Sequence, residues 1–185
     1  KATGCVLATA DAGGGYVYSK IISVSFDSKK DNWVSEPLDT LCLKLYGGES
    51  GILVIGDTKY AYYNSKGEMQ KEYEYPAKLI DWDYQNGKTA LLFQNETKRL
   101  SYITTVDSEN KEPNYSEFEN NNAKCIRIID GHVCVLGKDG ITQYNFKGGS
   151  EKKISSEGSY EEMIYIDDYI FLLGYDRIDR IDYKS

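Results

Sequence analysis

The sequence is poor in the residues on which common chemistries depend. Among 185 residues there is one histidine, His132, with three prolines, two methionines and two tryptophans. A single histidine puts His-rich metal sites out of reach, and no Gly-x-Ser-x-Gly elbow supplies a nucleophile for it. The four cysteines, Cys5, Cys42, Cys125 and Cys134, form no C-x-x-C pair, which disfavours zinc. Gly13-Gly14-Gly15 is followed by neither a helix nor Gly-Lys-Ser/Thr, so it is no phosphate loop but a hairpin turn. Positive charge is short as well: 22 Lys and Arg stand against 29 Asp and Glu, a net charge of −7. That balance disfavours nucleic acid or an anionic membrane surface as partner, because phosphate binding needs clustered cations. No apolar run reaches the ~18–20 residues of a membrane span, and no signal peptide is present. The chain opens inside a strand-like run without an initiator methionine, so it is expected to be a piece of a longer protein.

What is abundant points to β structure. There are 17 tyrosines and 17 glycines. In His132–Gly149 an apolar run, His132 to Gly137, meets the turn Lys138-Asp139-Gly140 and an alternating run, Ile141 to Phe146. This is the pattern of a β-hairpin. The apolar run recurs as Gly4–Ala10, Gly51–Gly56, Lys88–Phe93 and Tyr169–Gly174. From Gly51 the steps to Lys88, His132 and Tyr169 are 37, 44 and 37 residues. A period near ~40 with several strands per repeat is that of propeller blades.

The flanks repeat too. Before the last four runs stand Leu41–Tyr46, Ala77–Trp82, Lys124–Ile129 and Glu162–Asp167; after them come Lys59–Asn64, Arg99–Thr104, Ile141–Phe146 and Arg177–Asp182. Charged fourth runs, Glu68–Tyr73 and Ser150–Ser155, follow in two repeats. The fold class is therefore all-β, with four-stranded antiparallel blades of the β-propeller type, strands a to d from inside out, in four to five repeats. The apolar b strands suit burial on both faces, and the charged d strands suit an outer edge. One domain is expected over residues 1–185, with blades at roughly 4–38, 39–75, 76–120, 121–158 and 159–185. The first repeat lacks strand a and the last lacks strand d. Both ends bring b and c strands, so they cannot merge into one blade, and an incomplete arc of a larger propeller is expected. Gly4–Ala10 and Arg177–Tyr183 would then be open edges that invite chain–chain pairing. The Asp27–Pro37 and Asp107–Ala123 segments are expected to be solvated loops.

The runs Val6–Ala10 and Tyr16–Val24, and Gly51–Asp57 followed by Tyr60–Glu68, resemble the blades of an uncharacterised bacterial family. Its members are predicted membrane-anchored proteins of Gram-positive bacteria, with one N-terminal transmembrane helix and an external β-propeller of quinoprotein-like or WD40-like repeats. The resemblance covers most of the chain and implies an extracytoplasmic location, an anchor outside this chain and further blades. It brings no catalytic residues. Trp82-Asp83 does not close a c strand, as a strict WD40 repeat would require.

No catalytic, cofactor-binding or metal-binding residue is assigned. The cysteines lie in strand runs and read as small core residues. A two-residue turn at Asp130-Gly131 would set Cys134 against Arg127 rather than Cys125, which argues against a disulfide. His132 reads as an exposed turn residue. Asp107, Glu109 and Glu112 lack the glycine of a calcium loop. Asp167, Asp168, Asp176, Asp179 and Asp182 are expected at strand ends and turns. Tyr60, Tyr62, Tyr63, Tyr73, Tyr75, Tyr84, Tyr102 and Tyr144 are expected in c and d strands as packing residues. The functional expectation is a non-catalytic extracytoplasmic binding or scaffold module for a protein, peptide or glycan. A propeller enzyme or quinoprotein-like cofactor domain, acting for instance on carbohydrate, is the alternative.

Overall fold

The computed structural model describes residues 3–25, 32–48, 51–107, 113–118 and 122–184. They form eighteen strands and no helix. Each sheet is an antiparallel meander, and the sheets fall into two compact units, Lys1–Pro76 and Ala77–Ser185.

The first unit holds two sheets. β1 (Thr3–Gly13), β2 (Tyr16–Ser25) and β3 (Trp33–Val34) make the first. The second is β4 (Cys42–Gly48), β5 (Gly51–Gly56), β6 (Lys59–Tyr63) and β7 (Met69–Glu74). Between them lies an apolar core of Ile21, Leu38, Cys42, Ile52, Val54 and Tyr63, with Leu7 and Trp33 at its margin. The Trp33 indole donates to the Ser65 carbonyl at 3.1 Å, tying β3 to the turn after β6.

The second unit holds three sheets. β8 (Lys78–Gln85), β9 (Lys88–Asn95), β10 (Leu100–Asp107) and β11 (Pro113–Phe118) make one. β12 (Cys125–Ile129), β13 (His132–Gly137), β14 (Gly140–Tyr144) and β15 (Ser150–Ser155) make the next. β16 (Tyr160–Ile166), β17 (Tyr169–Gly174) and β18 (Ile178–Asp182) make the last. One core packs Ala90, Leu92 and Ile103 against Ile126, Ile128, Val133 and Val135. The other packs Cys125, Cys134, Leu136 and Ile141 against Met163, Ile170 and Leu172. Strand alternation supplies both: even-numbered positions of β12 face one neighbour and odd-numbered positions the other.

The b strands β5, β9 and β13 are buried along nearly their whole length. β17 buries only alternate residues, Ile170 and Leu172, because within its unit one face of its sheet is packed. β1 pairs only with β2 and β18 only with β17 among the described residues, so both lie at sheet edges.

Three local readings change. The left-handed two-residue loops join a to b: Asn86-Gly87, Asp130-Gly131 and Asp167-Asp168 all have positive φ, between paired residues Gln85–Lys88, Ile129–His132 and Ile166–Tyr169. The b–c loop of the hairpin is Lys138-Asp139, and Gly140 is already the first residue of β14, opposite Gly137. The segment expected as an Asp107–Ala123 loop contains strand β11, whose proline opens an edge strand where no ladder donor is needed. Phe118 anchors it, 5.7 Å from Tyr144. β3 lies likewise within the expected Asp27–Pro37 loop.

Candidate functional site

Charge converges on the inner strands of the second unit. Among the described residues the inner edge of β12 has no strand partner, and its outward amides meet carboxylates of β8. Asp81 Oδ2 accepts from the Ile126 amide at 3.0 Å, and Asp83 Oδ2 from the Ile128 amide at 2.7 Å. A register shift between Leu79 and Asp81 places these two acids in step; a bulge of this kind re-aims a side chain. Asp81 Oδ2 also accepts from Arg127 Nη1 at 2.6 Å, while Arg127 Nη2 donates to Glu162 Oε1 at 2.5 Å. Glu162 Oε1 in turn accepts from the Met163 amide at 3.0 Å. One guanidinium therefore links three successive inner strands, β8, β12 and β16. Burial works against its charge, but Asp81 and Glu162 outweigh it and hold Arg127 above its ordinary value. The Arg127 and Asp81 side chains are each 24% exposed, so the ladder is half-buried.

A second polar group lies at the other side of the last sheet. A groove of about 280 Å³ runs between Ser155–Glu157 and the β16–β18 sheet, over Leu172 and Ile181. On its wall Tyr160 and Arg177 both donate to Asp179, and the Arg177 guanidinium sits 5.5 Å from the Tyr160 ring centre. These contacts hold Asp179 below the usual carboxylate range, Arg177 first and Tyr160 second.

Three of the four cysteines are core residues as expected, but Cys5, expected among them, is exposed on the edge strand β1. Cys134 is paired with Arg127, and Cys125 with Leu136. All four thiols are free; Cys42, Cys125 and Cys134 are buried and Cys5 is exposed. Burial pushes the Cys134 thiol up to about 11, and burial with the Glu162 charge pushes Cys125 up as well. Neither is a ready nucleophile near neutral pH. His132 is half-exposed: Nδ1 lies 3.1 Å from the Asp130 carbonyl and Nε2 3.3 Å from Glu151. Gly14 and Gly15 make the β1–β2 turn, and Asp11 accepts from the Gly13 amide at 2.7 Å. Asp107 ends β10, while Glu109 and Glu112 lie outside the described residues. In the acidic tail Asp168 is 2.6 Å from Lys184 and accepts from Tyr165 at 3.0 Å. Tyr60, Tyr62, Tyr63 and Tyr144 are buried in c strands. Tyr73 of β7 stacks on Tyr60 at 4.9 Å. Tyr84 stands in the inner strand β8, not in a c or d strand, and Tyr75 follows β7. The ladder of Asp81, Asp83, Arg127 and Glu162 was not legible in the sequence. Its one signal was the odd Trp82-Asp83 pair, whose Asp83 caps the next sheet.

A family model, described as a Family of unknown function (DUF5711), matches residues 1–182. The chain belongs to that family. No curated protein matches this DUF5711 chain. Among solved structures it is similar to Kluyveromyces lactis Hsv2p, at 12% identity and a TM-score of 0.64, covering 91% of this chain and 58% of that one. The WD40 domain of Neurospora crassa Pan2 matches at 8% identity and a TM-score of 0.54, covering 91% of this chain and 59% of that domain. A functionally unknown protein from Desulfotomaculum acetoxidans matches at 11% identity and a TM-score of 0.60, covering 90% and 59%. At these identities the likeness is one of fold: the DUF5711 chain has sheets of the WD40-like β-propeller type. It spans less than two thirds of each of these three structures.

Proposed function

We propose that this chain is a non-catalytic binding or scaffold module that works outside the cytoplasm, carried by a membrane-anchored parent protein of Gram-positive origin. The observation that carries the non-catalytic half is the ladder. Its guanidinium is held by two carboxylates, Asp81 and Glu162, which also cap the backbone amides of Ile126 and Met163, while Asp83 caps that of Ile128. Groups engaged in this way hold sheets in register and are not poised for proton or group transfer. The fold supports the binding half, since stacked sheets present loops and edges to partners on a rigid support. The location rests on the resemblance of the blade runs alone. Labelling intact cells with a membrane-impermeant amine reagent tests it. The expected result is modification of the protein before lysis; modification only after lysis overturns the extracytoplasmic reading. Loss of partner capture in Arg127→Met at a temperature where the variant is folded would overturn the structural assignment of the ladder.

A further inference from the structure

One of the left-handed a–b turns sets an asparagine side chain beside a backbone amide that can attack it. Between β8 and β9 the ladder closes at Gln85–Lys88. Asn86 and Gly87 are the whole loop, at φ 50° and 80°. A two-residue loop keeps its own amides outside the ladder, so no β partner engages the Gly87 N–H. Gly87 also has no side chain to crowd its nitrogen. Asn86 is exposed, and its side chain makes no hydrogen bond among the described residues. It is the one asparagine in the sequence that precedes a glycine. Four other asparagines differ on each count. Asn64 and Asn145 each hold two amides through Oδ1, and their Nδ2 groups donate to Glu68 and Glu151 at 2.7 and 3.2 Å. Asn95 Oδ1 accepts from the Lys98 amide at 3.0 Å, and Asn114 Nδ2 donates to the Phe146 carbonyl at 3.3 Å. The residues that follow them, Ser65, Phe146, Glu96 and Tyr115, all carry side chains.

We propose that Asn86 is a self-modifying site, converted without an enzyme to aspartate or isoaspartate. The Gly87 amide gives its proton to hydroxide, and its nitrogen attacks Asn86 Cγ. A new N–Cγ bond closes a succinimide while the bond from Cγ to the side-chain nitrogen breaks and ammonia leaves. One water then opens the imide. Cleavage of the new N–Cγ bond returns aspartate in the ordinary main chain; cleavage of the original peptide bond leaves isoaspartate, with the main chain running through Cγ. The balance is one water consumed and one ammonia released, with no oxidant or reductant. Aspartate suits this turn, because Asp130 stands in the same place in the next sheet, at φ 47° and ahead of Gly131. Isoaspartate adds a methylene to the main chain of a loop built for two residues and so loosens the Gln85–Lys88 closure. Either product adds a negative charge at the end of β8, the strand that carries Asp81 and Asp83. The inference goes beyond the binding-module reading and does not depend on it.

The intact protein is incubated at about pH 8, folded and in denaturing urea, and each asparagine is followed by peptide mass spectrometry, which reads a gain of about 1 Da. In the folded protein Asn86 is expected to react at least about tenfold faster than any other asparagine. Unfolding is expected to speed Asn64 and Asn145 at least about tenfold, since their side chains are released only then, and to speed Asn86 by less. Asn86→Gln is expected to remove the acidic species that accumulates on ion exchange, and Asn86→Asp to elute with it. An Asn86 that stays intact in the folded protein overturns the proposal. So does one that reacts no faster than Asn64 and Asn145, or that gains as much as they do on unfolding, or an acidic species that persists in Asn86→Gln.

Discussion

Arg127 shows how a residue that looks ordinary in sequence becomes decisive in space. It sits between Ile126 and Ile128 in an apolar run, and its partners Asp81 and Glu162 are 46 and 35 residues away. Replacing it with methionine leaves both carboxylates without their cation while they still cap amides. The half-exposed setting discounts the cost of a fully buried broken pair, so a loss of about 1–3 kcal/mol is expected in urea denaturation. Lysine keeps the charge but not the fork, and should recover only part of it. The cysteines make a second case. Cys5 is exposed on β1 and the other three are buried, so native protein at pH 8 should take one equivalent of iodoacetamide quickly and four after unfolding. With its folded value raised to about 11, Cys134 contributes stability that is present below the thiol's usual ~8.5 and lost as pH climbs toward the folded value. The strand placement of all four thiols was readable from sequence, because each stands in a short apolar run, and the Arg127–Cys134 pairing follows from the two-residue turn at Asp130-Gly131; the exposure of Cys5 was not. The partners of Arg127 were not, because no local rule links residues 35 or more apart.

Elements are held to one another by two copies of one turn. Asn64 and Asn145 each accept through Oδ1 from the amides two and four residues on, at 2.9–3.0 Å. Within each turn a glycine with positive φ, Gly67 or Gly148, presses on the preceding sheet. A Cβ on Gly148 would lie 1.5 Å from Ser116 Oγ of β11, and one on Gly67 2.3 Å from the Trp33 ring. Gly148→Ala should therefore cost more than about 1 kcal/mol. Adding Ser116→Gly should return the part due to the clash and leave the part due to φ, as a double-mutant cycle will show. Gly67→Ala should change Trp33 fluorescence without unfolding the second sheet. The same turns explain a missed element. β11 was hidden in a polar segment, where its Asn, Ser and Glu read as loop; the neighbouring turn selects it, since Asn114 and Thr105 both donate to the Phe146 carbonyl. A strand whose pairing partner and packing partner are both supplied from elsewhere leaves little periodicity of its own.

Across the whole molecule the acidic balance should set the response to pH. Lys59 holds Asp39 below the usual carboxylate range, Lys184 and Tyr165 do so for Asp168, and Arg177 and Tyr160 for Asp179. A carboxylate whose folded value is lowered stabilises the fold above its unfolded value, near ~3.9, and that contribution disappears as pH falls through the folded value. Thermal midpoints should therefore be flat from about pH 7 to 5 and drop from about pH 4 downward. Added salt should shrink the drop, because these pairs are exposed and screened. A midpoint that rises on acidification would show that repulsion within the −7 net charge outweighs the pairs.

The sequence by itself determined the strand type, the repeat and the order of strands within each sheet. These depend on periodicity and short turns, which act over a few residues. Only the tertiary structure decided which polar groups meet: the Asp81–Arg127–Glu162 ladder and the Tyr160–Asp179–Arg177 wall. The ladder is set by stacking one sheet on the next, which joins residues by position in the repeat and not by nearness along the chain, whereas the wall forms within the last sheet, between β16 and the start of β18.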